Sequence, residues 1–357
     1  MKTALKRYRV LLLMLFFFGC QPASEESGTM PSPKPDSSLE LSYFTWSDYV
    51  DQELLNGFEK KTGISIIVGT FSSNEELLAK VQSGVVGYDV IAPSDYMATL
   101  MARQGLLATL DLSRIPNVQH VIDSLKHLPF DPHNQFVIPY LWGTVGIGYD
   151  STIIQTPPTS WEILWDPQYK GKISMLNDQR EVFGVALRTM GYSLNATASA
   201  LIEQAKQKLI LQKSLVKAYT SESFDQMLIA GDVVLAHGWG GPIARAMREK
   251  PSIQYVVPQE GGTIWTDCLA VLQSSPHKEL AMTFINYLLD VDVATATSNR
   301  LLFASANQMV KERVKAEVRE NSAVYPSEAT VQRMEWMTDP GEAIRDYDRA
   351  WTELKVH

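Results

Sequence analysis

The sequence holds only two cysteines in 357 residues, Cys20 and Cys268. No disulfide framework can be built from them, and with 45% hydrophobic residues the fold must be held by apolar packing. Catalytic signatures are missing as well: there is no Gly-x-Ser-x-Gly, no His-Glu-x-x-His, no Walker loop and no Cys-x-x-Cys. Gly143-Thr-Val-Gly-Ile-Gly148 carries its glycines in the wrong order for a dinucleotide fingerprint. The histidines, His120, His127, His133, His237, His277 and His357, are scattered, which reads as packed or solvated side chains rather than a metal cluster. An excess of base is lacking too, with 32 Lys plus Arg against 40 Asp plus Glu. Lys2, Lys6, Arg7 and Arg9 are the charged residues of the first 19, so setting these aside takes the net charge from −8 to −12. Such a chain is a poor partner for nucleic acid. No period of 20 to 50 residues recurs, which excludes repeat architectures.

What is present begins with an address. Basic residues up to Arg9 precede the apolar run Val10–Phe18 and then Gly19-Cys20, the pattern of a signal peptide over residues 1–19. A run this short does not span a bilayer stably. Phe17-Phe-Gly-Cys20 resembles a bacterial lipobox, with Phe17 where Leu is usual, and marks Cys20 for lipidation; the alternative is a secretory signal that is simply cleaved. Gln21–Ser38 contains four Pro and five Ser with almost nothing apolar, the composition of a solvated tether. The expected anchor is thus a lipidated Cys20 with a flexible segment, residues 20–38. Cys268 has no neighbouring Cys or His and reads as a small buried residue.

From Leu39 onward short β-branched or aromatic runs alternate with stretches of helical period: 39–45, then 50–61, 64–68, 74–83 and 88–92. This rhythm predicts an α/β fold with a mostly parallel sheet. Gln135–Tyr149 is a long extended run with glycines where the chain could bend, suited to crossing between two domains. Gly261–Leu272 reads as a returning strand, followed by a helix over 276–290. Two crossings imply a discontinuous domain and a cleft, with lobe 1 at 39–145 plus 268–317 and lobe 2 at 146–267 plus 318–357. Clefts of this kind gather loops from strand carboxyl ends and bind small ligands.

Aromatic residues beside carboxylates recur at those loops: Trp46-Ser-Asp-Tyr49, Ser94-Asp-Tyr96, Asn177-Asp-Gln-Arg-Glu181, Gly238-Trp-Gly-Gly241 and Trp265-Thr-Asp267. Carboxylates hold ammonium groups through charge-assisted hydrogen bonds, and indole faces cover methylenes while attracting cationic ends. Taken singly, each has a plainer reading. Asp178 and Glu181 have the spacing of a capping box, Asp48 or Asp95 could cap the next helix, and Trp239 could be a core aromatic. The conjunction points to a cationic aliphatic ligand.

Seven pieces in order, Tyr43–Tyr49, Gly87–Tyr96, Pro129–Pro132, Ile138–Gly143, Ser160–Trp165, Asp178–Phe183 and Glu260–Asp267, carry a resemblance over nearly all of the chain from Leu39. The sequence resembles the bacterial spermidine/putrescine substrate-binding proteins of polyamine ABC transporters. The resemblance implies a two-lobed type II periplasmic-binding-protein fold, with a polyamine held in the interlobe cleft and delivered to a membrane permease. No chemical step and no cofactor are implied. It implies a monomer at the periplasmic side of the bacterial envelope, held to the membrane by its lipid anchor. By position, Trp46, Tyr49, Trp239 and Trp265 match the aromatic set along the methylenes. Asp48, Asp178, Glu181 and Asp267 match the acids facing the amines, with Ser47, Ser94 and Tyr96 as polar neighbours. Two positions depart from the family. Phe303 keeps a ring but loses a hydroxyl, and Met337 stands where some members carry Gln, so recognition at that end differs. A carrier or sensor for another cationic solute, and an envelope enzyme of unfamiliar design, are the competing readings.

Overall fold

The computed structural model describes residues 39–84, 87–126 and 131–356. The signal peptide, Cys20, the tether and the start of the Pro129–Pro132 piece lie outside the described residues. In chain order the strands are β1 (Glu40–Trp46), β2 (Ser65–Phe71), β3 (Val90–Ile91), β4 (Val137–Asp150), β5 (Ile173–Met175), β6 (Val216–Tyr219), β7 (Leu235–Trp239), β8 (Ile253–Val256), β9 (Thr263–Val271), β10 (Ala304–Ser305) and β11 (Glu335–Trp336). The helices are α1 (Gln52–Thr62), α2 (Asn74–Gln82), α3 (Asp95–Arg103), α4 (Asp123–Lys126), α5 (Gln179–Thr189), α6 (Ser199–Lys213), α7 (Phe224–Ala230), α8 (Gly240–Glu249), α9 (Lys278–Leu288), α10 (Val291–Leu301), α11 (Ala316–Arg319), α12 (Glu328–Val331) and α13 (Ile344–Val356).

Local chemistry explains the elements that set up the site. Helix α1 starts where the Asp51 carboxylate accepts the Glu53 and Leu54 N–H groups, and it ends at Gly63, whose φ of 76° favours a residue without Cβ. Its inner face buries Leu54, Leu55 and Phe58, a helical spacing. Phe58 is fully buried against Phe284 of α9, ring centroids 4.9 Å apart. Each such side chain contributes roughly 1.5 to 3 kcal/mol on burial.

The sheet path runs β2-β1-β3-β9-β4-β7-β5-β6, with β8, β10 and β11 pairing off it. Strands β1, β2 and β3 are mutually parallel, as are β5, β6 and β7. The expectation of a mostly parallel sheet is corrected at its middle: β9 lies antiparallel between β3 and β4, and β4 is antiparallel to β7 and β8. The physical reason is the return of the chain. A strand that comes back after the whole β5–β8 excursion enters the first half of the sheet from the opposite direction.

The 14-residue β4 pairs with β9 over Val137–Thr144 and with β7 over Val145–Tyr149, so one strand serves both halves. Its glycines provide close approach rather than bends. A Cβ on Gly143 would lie 2.6 Å from Trp265 Cζ2, and one on Gly146 would lie 2.5 Å from the Tyr255 ring. The C-terminal helix α13 packs on α6 and α5, and Tyr347 within it is fully buried. The result is a two-lobed, mixed α/β fold. No helix among the described residues is long and apolar enough to cross a membrane.

Candidate functional site

Two parallel sets, β1 with β3 and β5 with β7, deliver their carboxyl ends to one cleft. Trp46 closes β1 and leads into Ser47-Asp48-Tyr49; Ser94 to Tyr96 follow β3 into α3; Asp178 to Glu181 follow β5 into α5; Trp239 closes β7 ahead of α8. Strand β9 adds Thr263, Trp265 and Asp267, alternate residues that share a face because side chains of a strand alternate. The residues between them turn away: Thr266 donates to the Leu141 carbonyl and Cys268 is buried in the core behind. Phe303 and Met337 complete the wall. All thirteen ligand-site residues named from the sequence therefore line the same cleft, whose empty volume is about 780 Å³.

Its lining contains six acidic residues and no lysine or arginine. Asp267 is the most tightly held. Its Oδ1 accepts the Ser94 hydroxyl at 2.6 Å and its Oδ2 accepts the Tyr49 hydroxyl, so both oxygens are oriented by residues far away in sequence. Burial, opposed by these two hydrogen bonds, pushes the Asp267 carboxyl up to about 6. Asp95 takes the Tyr96 N–H at 2.7 Å, and burial pushes it up to about 8. Glu181 is raised by burial and then by the charge of Asp178 beside it, and Asp178 is raised by burial as well. A cleft whose carboxyls resist ionisation gains most from a multivalent cation, whose charge favours the ionised forms and offsets the cost of burying them.

The capping-box reading of Asp178 and Glu181 is half realised. Asp178 Oδ1 accepts the Glu181 N–H at 3.0 Å, but the Glu181 carboxylate turns into the cleft wall and accepts the Thr263 hydroxyl at 2.7 Å. The other two proposed caps do not form: α1 is capped by Asp51, and Ser94 ahead of α3 gives its hydroxyl to Asp267. Asp48 is engaged differently from its acidic neighbours, since its Oδ1 lies 2.9 Å from Arg245 Nη2 on α8. Tyr96 donates to Glu75 at 3.3 Å.

Aromatic faces fill the remainder. Trp46 and Trp239 stand 6.5 Å apart between centroids, with Phe71 behind the first and Phe224 behind the second. Phe303 packs edge-on with Tyr49 at 5.1 Å and Trp265 at 5.9 Å. Trp265 lies over the bare Cα of Gly143, and the Phe303 ring fills the space a Gly241 Cβ would need, 2.2 Å from Cε1. Trp239 is thus both packed and cleft-facing, which resolves its two readings into one position.

Sequence reasoning missed Phe71, Ser72, Asn74, Asp95, Ser221, Glu222 and Thr263, which also line the cleft. Thr263 was detectable, two residues before Trp265 on an alternating strand; Asp95 sat inside a quoted motif. Asn74, which exchanges hydrogen bonds of 3.1 Å with Ser94, has no sequence signal, and neither does Arg245. His237 is fully buried with neither ring nitrogen bonded, and burial holds it down to about 3, hence neutral.

Comparison with known proteins agrees with this geometry. Residues 87–324 match the bacterial extracellular solute-binding protein family. The chain is 34% identical to the spermidine/putrescine-binding periplasmic protein of Escherichia coli over 92% of its length and 94% of that protein's. It is 35% identical to spermidine/putrescine-binding periplasmic protein 1 of Haemophilus influenzae, covering 88% of each. Among solved structures, a Listeria monocytogenes protein described as a spermidine/putrescine ABC transporter superposes with a TM-score of 0.85 at 30% identity, over 89% of this chain and 99% of that one. The TpPotD lipoprotein of Treponema pallidum superposes at 0.82 with 26% identity, over 89% and 100%. The chain therefore belongs to the bacterial extracellular solute-binding proteins, among their spermidine/putrescine-binding members.

Proposed function

We propose that this protein binds a protonated polyamine, putrescine or spermidine, in the cleft and hands it to the permease of an ABC importer without chemical change. The observation that carries the reading is the cleft lining: six carboxylate residues, no basic residue, and indole and phenol faces between them. Ammonium groups pair with the carboxylates while the methylenes lie on the rings, which contribute roughly 0.5 to 2 kcal/mol per cation–π contact. Asp267, Asp178 and Glu181 hold amines; Trp46, Trp239, Trp265 and Tyr49 cover the chain; Ser94 orients Asp267, with Ser47 and Tyr96 as polar neighbours; Phe303 and Met337 complete the wall.

In the same reading residues 39–145 plus 268–317 form lobe 1 and residues 146–267 plus 318–357 form lobe 2, closing on the ligand about the β4 and β9 crossings. Residues 1–19 are removed as a signal peptide, and Cys20 carries a lipid that holds a monomer to the envelope through the 20–38 tether. The lipobox-like Phe17–Cys20 supports this, as does the lipoprotein nature of the Treponema relative. Calorimetric titration of the purified protein with putrescine, spermidine and spermine tests the function. One-to-one binding without product is expected; absence of heat and of thermal stabilisation with all three would transfer the cleft to another cationic solute. Mass spectrometry of the mature protein tests the anchor, a mass consistent with a diacylglyceryl Cys20 being the expected result.

A further inference from the structure

The carboxylates of the cleft are not equally free. Asp178 and Glu181 lie at one end, where the field of Asp178 reaches Glu75 and Tyr96. Asp267 lies between, its field reaching Tyr49 and Asp95. Asp48 lies toward the other end, where its field reaches Tyr49 and Asp225. Of these acids Asp48 is the one in a direct ion pair, the Arg245 guanidinium sitting 2.9 Å from its Oδ1, whereas Arg180 acts on Asp178 and Glu181 through its field.

That guanidinium is fixed from three sides. Nη2 faces Asp48, Nη1 donates to the Leu301 carbonyl at 3.2 Å, and the planar head lies 5.7 Å from the centroid of the Phe303 ring. Phe303 is itself only 4% exposed and wedged above Gly241, so the ring cannot swing aside. An ammonium arriving at Asp48 would therefore meet a second cation sharing the same carboxylate and the same aromatic face. Arginine cannot relieve this by losing its proton.

A diamine needs two carboxylate stations, and Asp267 with the Asp178–Glu181 pair supplies them. A triamine needs a third. We propose that Arg245 is a resident cation that occupies the Asp48 station and makes the cleft select a diamine over a triamine. This rests on the polyamine reading above and sharpens it.

Calorimetric titration of the full-length protein with putrescine and with spermidine tests it. Wild-type protein is expected to bind putrescine at least tenfold more tightly than spermidine. Arg245→Gln is expected to shift the ratio toward spermidine by at least fivefold, Arg245→Lys to keep the wild-type ratio, and Arg245→Gln combined with Asp48→Asn to abolish the shift. Equal or tighter binding of spermidine by wild-type protein overturns the inference without any variant. So does an unchanged ratio in a folded Arg245→Gln protein. Failure of wild-type protein to bind either amine overturns the polyamine reading itself, a result distinct from both.

Discussion

Ser94 donates its hydroxyl to Asp267 across 2.6 Å from a position 173 residues earlier in the chain. The bond joins the loop after β3 to the middle of β9 and leaves the carboxylate aimed at the cleft. Hydrogen bonds to charged groups are typically worth about 1.5 to 3 kcal/mol, so Asp267→Asn should weaken amine binding by about 10- to 150-fold. The amide still accepts from one hydroxyl, so the fold should persist. Titration reads the loss, and unchanged affinity would remove Asp267 from the site.

Acidity supplies a second expectation. Asp95 at about 8 and Asp267 at about 6 stand above the ordinary carboxyl range near 4, and Asp178 and Glu181 are raised with them. The folded, ligand-free protein thus binds more protons than the unfolded chain across this interval. The contribution of these groups to stability is fully present at acid pH and declines as pH rises from about 4 to about 8. A bound diamine reverses the preference, because it favours the ionised forms. Binding should therefore release protons, and affinity should be greater at pH 8 than at pH 5. Titrations in two buffers of different ionisation heat measure the release; net proton uptake would contradict it.

Glu181→Gln separates these two effects. With the buried charge gone, the ligand-free protein should be more stable at pH 8 in a denaturant melt, while amine affinity drops several-fold. A variant that loses stability at pH 8 instead would mean that the Thr263 hydrogen bond outweighs the cost of burial.

Close packing beneath the aromatic wall makes Gly143→Ala informative. The new methyl would stand 2.6 Å from Trp265 Cζ2, and the indole, 9% exposed, can yield only toward the cleft. Overpacking of this sort costs about 1 to 3 kcal/mol, and displacement of the ring should weaken amine binding as well. Phe58→Ala is the contrasting case: it opens a cavity between α1 and α9, with an expected stability loss of about 3 to 5 kcal/mol and amine affinity within twofold of wild type. Denaturant midpoints and titrations on both variants separate scaffold from site.

Periodicity made much of the fold legible. Runs of β-branched and aromatic residues mark β1, β2, β4 and β9, the last two buried along nearly their whole length, and the helical spacing of Leu54, Leu55 and Phe58 marks α1, because burial on one face of a helix imposes that period whatever the tertiary setting. Strand order was not legible. That β9 enters antiparallel between β3 and β4 depends on where a distant strand returns, and no local pattern encodes it. Within the site, residues with costly exposed chemistry announced themselves: indoles beside carboxylates at strand ends are conspicuous in a sequence. Asn74 and Ser221 are ordinary polar residues, and their place in the cleft is set by where β2 and β6 stop. The engagement of Asp48 by Arg245 was hidden for the same reason, since the two lie on elements that meet only after folding.

The late return of β9 also fixes an order of events. Strands β3 and β4 have no pairing with one another; each pairs with β9, Val90 with Val271 and Val137 with Ala270. A nascent chain that has not yet produced residue 271 holds two edges awaiting the same partner, and the contacts that join them span well over a hundred residues. Such non-local pairing is slow to form and leaves apolar edges open meanwhile. The finished protein should unfold in a single transition, because β9 is the strand that joins β3 to β4 and, through β4, the first part of the sheet to the second.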